Sequence, residues 1–165
     1  PTLILQLADL LRYVVYQGQQ NRVTLQQELA YLQHYLALQQ LRVSNKTSLK
    51  LQLPDNASQY QLPPLLLIML VENAYKHGVE TSAAPSQIWL SASVTQQRLV
   101  FICRNTLPEQ AAGATGAGMG LENLRRRLQL LYGSAFMLQS GPTSDNPLCW
   151  HAELQLPLWT EQEAA

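Results

Sequence analysis

Two short stretches of this sequence hold residue types that could act on a phosphorylated ligand. The first is Glu72, Asn73, Lys76 and His77. Asn73 stands three positions before Lys76 and four before His77, so on a helix the three share a face and can converge on one ligand. An amide oxygen suits a hard cation such as Mg²⁺, which keeps several waters and bridges to substrate phosphates, and Lys76 adds positive charge for the same phosphates. The second stretch holds Gly113, Gly116, Gly118 and Gly120, half of the chain's eight glycines, and runs directly into a helical pattern. Glycine allows positive φ and close backbone approach, while the first turn of the following helix offers N–H groups and partial positive charge to an anion. Each stretch also has an ordinary structural alternative: a polar helix end at the surface, and a flexible linker before a capped helix. The glycines fail two phosphate-binding templates, since no Walker A lysine follows them and GAGMGL lacks the Rossmann GxGxxG spacing.

The elements that must position these residues can be read from periodicity. Leu3, Leu7, Leu10, Leu11 and Val14 recur at helical spacing until Gln17, Gly18, Gln19 and Gln20. Thr24 with Gln27 reads as a capping box, and Leu25, Leu29, Leu32 and Leu36 form a seam for another helix. After Arg42 the period shifts to alternation at Leu49, Leu51 and Leu53, which predicts a strand and a domain boundary near residue 43. Pro63 and Pro64 mark a helix start, with the helix running from Leu65 through His77 to Gly78 as its C-terminal cap. Ile88 to Val94 and Leu99 to Cys103 predict an antiparallel hairpin about Thr95, Gln96 and Gln97. Residues 106 to 118 read as a mobile loop. A helix resumes at Leu121, with Leu124, Leu128 and Leu131 on its apolar face, Arg125, Arg126 and Arg127 solvated, and Gly133 at its end. Phe136 to Gln139 and Cys149 to Leu156 close the chain as strands.

Composition narrows the classes. The 165 residues are 47% hydrophobic and 13% charged, with 11 basic and 11 acidic side chains in balance, which excludes a disordered chain and an electrostatic nucleic-acid binder. Cys103 and Cys149 form no CxxC pair and read as reduced thiols of a cytosolic setting. Apolar runs such as Leu62 to Val71 are too short to span a bilayer, and the apolar helical pattern that follows Pro1 directly reads as a chain excised from a longer protein.

Taken together, the two stretches carry a family resemblance. LVENAYKHG resembles the N box, and GAGMGLENLRRRLQLLYG the G box, of the GHKL (Bergerat) ATP-binding fold shared by gyrase, Hsp90, histidine kinases and MutL. LADLLRYVVY, VTLQQELAYLQHYLALQQLR and LPPLLLIMLVENAYKHG follow one another as in the LytS/YehU-like sensor histidine kinases. The fold this implies is α+β: a two-layer α/β sandwich over residues 43–160, preceded by a helical hairpin of the dimerisation region over 1–42 and followed by a tail at 161–165. The resemblance also implies ATP and Mg²⁺ as cofactors. Asn73 would be the metal ligand, Lys76 and His77 phosphate contacts, and Glu72 the group that orients or deprotonates the incoming imidazole. Gly116, Gly118, Gly120 and Leu121 would offer backbone N–H groups to the phosphates, under a lid at 106–118. Asn105, followed by Thr106, would accept from the adenine amine through its amide oxygen in place of the wider superfamily's aspartate.

The implied reaction is transfer of the γ-phosphoryl group to a histidine in a motif like NPHFLFN, and onward to a LytTR-type response regulator. His34, His77 and His151 do not match that phosphoacceptor. The resemblance implies a homodimer through the helical region, with no nucleic acid and no membrane contact by this segment, in the cytoplasmic part of an inner-membrane sensor. The sequence departs from the family pattern at Ile68 and Met69, where Gln then Pro are common, and at Cys149 and Trp150, where Gly-Thr is usual. Two other readings stay open: an interaction module that has lost nucleotide binding, and a GHKL-type ATPase. Met69 disfavours the latter, because it stands where such ATPases carry their glutamate.

Overall fold

The computed structural model describes residues 2–42, 47–55, 57–80, 82, 84–108 and 119–160. Gly113, Gly116, Gly118, most of the 106–118 loop, the expected boundary at residue 43 and the 161–165 tail lie outside them. Among the described residues the elements are α1 (Thr2–Arg12), β1 (Val23–Thr24), α2 (Leu25–Arg42), β2 (Thr47–Gln52), β3 (Tyr60–Leu62) and α3 (Leu67–Ala74). They continue with β4 (Ser86–Thr95), β5 (Arg98–Thr106), α4 (Met119–Tyr132), β6 (Met137–Pro142), β7 (Cys149–Pro157) and β8 (Trp159–Thr160). Both α1 and α3 run on into a π-helical turn, Tyr13–Gln17 and Tyr75–Val79.

The main sheet has the order β2-β4-β5-β7-β6, with β2 and β4 parallel and the remaining pairs antiparallel. Alternation decides its two faces. Ile88, Leu90, Leu99, Phe101, Cys103 and Leu154 point into the core beneath α3 and α4, whereas Trp89, Arg104, His151 and Glu153 face the other way. The expected hairpin forms as β4 and β5, closed by Gln96 (φ 51°) and Gln97 (φ 57°), which give the two positive φ values that a tight two-residue turn needs. A small second sheet, β1-β3-β8, ties the chain before α2 to the rest of the molecule.

The capping box at the start of α2 forms as expected: the Gln27 N–H donates to Thr24 Oγ1 at 3.2 Å, and the Thr24 N–H donates to Gln27 Oε1 at 2.9 Å. Leu25, Leu29, Leu32 and Leu36 are buried in the same cluster as the sheet residues. Pairs recur in the same order along α2 and α3: Glu28 with Leu65, Tyr35 edge-on to Tyr75 at 6.1 Å, and Arg42 with Glu80. The two helices therefore run side by side in the same direction.

In several places the structure differs from the local reading. The α3 helix begins at Leu67, two residues late, because Leu65 takes a left-handed backbone (φ 60°). Leu131 is 42% exposed and Tyr132 takes its place in the core of α4. Arg125 and Arg127 are not simply solvated, since they donate to the carbonyls of Leu138, Leu65 and Pro64.

Candidate nucleotide site

Asn73 sits near the end of α3, a helix held in place by burial of Leu67, Ile68, Leu70, Val71 and Ala74. Asn73 itself is half-buried. Beyond Ala74 the winding widens to a π turn, closed by the Glu80 N–H donating to the Tyr75 carbonyl at 2.9 Å. Such turns recur where a helix must present side chains out of the ordinary α register. Here the turn buries Tyr75, Gly78 and Val79 and leaves Lys76 and His77 exposed.

Gly78 is therefore not the left-handed C-cap that its position suggested. Its reason is contact: a Cβ there would lie 2.3 Å from Asn105 Nδ2 and 2.7 Å from the Thr106 carbonyl oxygen. The missing side chain lets the end of the Asn73 helix press against the end of β5. Asn105 is 3% exposed, and its Nδ2 donates to the Thr106 carbonyl at 3.0 Å. That bond orients the amide. Its Oδ1 is left as a buried acceptor with no partner among the described residues. An unmet acceptor of this kind costs about 1–3 kcal/mol. Trp150, the strand partner of Asn105, is also buried, and its Nε1 has no partner among the described residues.

Thr106 is half-buried and its Oγ1 accepts from the Gln87 N–H at 3.0 Å, so its hydroxyl serves the strand edge. Asn105 and Thr106 also line a cleft of about 350 Å³ with Lys50, Gln87, Trp89, Arg104 and Cys149. That cleft opens on the uncovered face of the sheet, on the opposite side from α3. The link between Asn105 and the Asn73 helix is thus Gly78, not the cleft.

Gly120 and Leu121 occupy the first turn of α4, which packs against α3. Gly120 is exposed, with open space around the position of a Cβ among the described residues, and Leu121 is buried in the core. Glu72 is exposed on the side of α3 that faces α2. Burial first, and the nearby Glu72 charge second, raise the phenols of Tyr31 and Tyr35, the latter to about 12 in all. Desolvation in turn holds the Glu72 carboxyl above its ordinary range. Among the described residues no cluster of three or more His, Cys, Asp or Glu could hold a metal ion. On α3 the oxygen donors are the Glu72 carboxyl and the Asn73 amide, both of the hard kind that Mg²⁺ takes. Local spacing had flagged Asn73 and Gly120, and the family resemblance Asn105, but neither carried a signal for the Gly78 contact or for the Trp150 indole left without a partner among the described residues.

The family model described as histidine kinase matches residues 1–47. The sensor protein LytS of Enterococcus faecalis is 27% identical over 97% of this chain. The sensor histidine kinase/phosphatase LytS of Staphylococcus aureus strain Mu50 is 28% identical over 90% of it. The chain is similar to the LytS sensor histidine kinases. It spans 29% and 28% of the lengths of those two proteins. Among solved structures, the catalytic domain of histidine kinase ThkA superposes with a TM-score of 0.57 at 14% identity, covering 82% of this chain and 94% of that one. The histidine kinase domain of Erythrobacter litoralis EL346 gives 0.59 at 16% identity, covering 94% and 72%. Full-length ShkA in complex with AMPPNP gives 0.60 at 17% identity, covering 96% and 36%. The fold is that of the histidine kinase catalytic domain, with a mixed sheet under helices as expected.

Proposed function

We propose that this chain is the catalytic and ATP-binding portion of a two-component sensor histidine kinase. It would transfer the γ-phosphoryl group of ATP to a histidine outside residues 1–165, and from there to a LytTR-type response regulator. The observation that carries this reading is the junction at Gly78, where the helix bearing Asn73 meets a buried, unpartnered Asn105 Oδ1. An adenine amine donating to that oxygen would remove the cost of the orphaned acceptor.

In this reading Asn105 Oδ1 accepts from the base and Thr106 closes the strand end behind it. Asn73 supplies one oxygen to Mg²⁺, and Lys76 and His77 stand exposed on the following turn to meet phosphate oxygens. A bound Mg²⁺ would supply charge neutralisation for the phosphates. Gly120 and Leu121 offer backbone N–H groups in the first turn of α4, and Gly116 and Gly118, outside the described residues, would add theirs. Glu72, facing α2 and raised by desolvation, orients the incoming imidazole and takes its proton. Positioning and charge stabilisation carry the transfer.

The division of labour follows the chain: residues 1–42 act as the helical arm and 43–160 as the catalytic portion. The α1 helix exposes Ile4, Leu7 and Leu11, and the π turn after it Val14, at spacings of three and four, a seam fit for a second copy of the chain. Among the described residues no helix is long and apolar enough to cross a membrane. The assignment of this segment to the cytoplasmic part of an inner-membrane sensor rests on the family resemblance of its motifs.

Titration with Mg²⁺-ATP tests the site. The parent is expected to bind at sub-millimolar concentration, Asn73→Ala to lose Mg²⁺-dependent affinity, and Asn105→Ala to lose about tenfold, the worth of one buried hydrogen bond. Absence of binding by the parent at millimolar nucleotide would favour the interaction-module reading instead.

A further inference from the structure

Glu28 on α2 is 1% exposed, a buried carboxyl that the proposed chemistry does not use. Its Oε1 accepts from the Tyr13 hydroxyl at 2.6 Å and from the Leu65 N–H at 2.7 Å. Tyr13 belongs to the turn that ends α1, and Leu65 stands just before α3, so one carboxyl holds the arm and the start of the Asn73 helix together. No side chain of α3's own neighbourhood caps its first turn. The carboxyl from α2 stands at that place, its Oε1 accepting from the N–H of the residue just before the N-cap Leu66.

Two further contacts converge on Leu65. Its carbonyl accepts from Arg127 of α4 at 3.1 Å, and that arginine also donates to the Pro64 carbonyl at 2.7 Å. Gly18, just past α1, approaches so closely that a Cβ there would lie 3.0 Å from Leu65 Cδ1. Leu65 is held at φ 60°, a conformation that L residues avoid and that persists where surrounding contacts over-determine it. The peptide is gripped from the arm on its N–H side and from α4 on its carbonyl side.

We propose that Glu28, with Tyr13 and Arg127, is a positioning latch that fixes the helical arm against the start of the helix carrying Glu72 and Asn73. It rests on the kinase reading, because the latch matters for transfer when the arm delivers a histidine and α3 presents the nucleotide. Its action is on geometry, not on the reacting atoms.

The test is segment-resolved hydrogen exchange on the full protein with Tyr13→Phe, Glu28→Leu and Glu28→Gln, alongside steady-state phosphorylation. Tyr13→Phe and Glu28→Leu are expected to speed exchange about tenfold around Leu65 to Leu67 and along α1, and to leave the β4–β5 hairpin unchanged. Glu28→Gln keeps an acceptor oxygen for both partners and stays near the parent. The phosphorylation rate falls with the arm loosened, while KM for ATP holds. Acceleration spread evenly over the sheet, no acceleration at all, or a raised KM with the rate preserved overturns the latch. If Glu28→Leu does not fold, Tyr13→Phe decides alone. Failure of the kinase reading appears separately, as a parent that binds no Mg²⁺-ATP, and the exchange pattern then still decides whether the latch exists.

Discussion

Glu72 differs from an ordinary surface carboxylate in that its surroundings partly desolvate it and hold its proton more tightly. A proton acceptor must be ionised, so raising its pKa moves the onset of activity to higher pH. The rate of phosphohistidine formation is expected to climb with pH through a range above the ordinary glutamate value of about 4.3. Glu72→Gln should lower that rate by about 10²–10⁴-fold and abolish the rise, which a pH–rate profile of parent and variant would check. At this scale the sequence was informative about identity and silent about state. The three- and four-residue spacings singled out Asn73, Lys76 and His77, but a buried and unpartnered Asn105 Oδ1 results from which groups surround it.

Helix ends are where local rules and packing diverged. Glycine after a polar helix end reads as a cap, and at Gly133 that reading holds, with φ 58°. At Gly78 the same residue type answers a different demand, because Asn105 and Thr106 occupy the space of a side chain. Gly78→Ala is therefore expected to destabilise the fold by about 1–3 kcal/mol, through a clash with backbone that cannot swing away, and to weaken Mg²⁺-ATP binding. Gly120→Ala, with open space at its Cβ, should leave stability unchanged or slightly raised. Urea unfolding of the two variants beside the parent separates these outcomes. The capping box of α2 was legible because both partners lie within four residues. The start of α3 was not, since its cap comes from Glu28, 37 residues away from Leu65.

For the molecule as a whole, α1 buries Leu10 and, with the π turn that follows it, leaves Ile4, Leu7, Leu11 and Val14 in solvent. Burying such side chains is worth about 1.5–3 kcal/mol each, so Leu7→Glu and Leu11→Glu should each weaken self-association of the full protein about tenfold or more in sedimentation equilibrium. Parent and variants with equal masses in solution would remove the dimer from the proposal. What the sequence determined by itself was whatever depends on near neighbours: helix and strand periods, the capping box, the hairpin, and the residue types able to meet a nucleotide. The tertiary structure alone decided the left-handed Leu65, the attachment of Arg125 and Arg127 to distant carbonyls, and the pressing of Gly78 on Asn105. Those features join segments far apart in the chain, and a periodic pattern carries no record of which of its faces meets which partner.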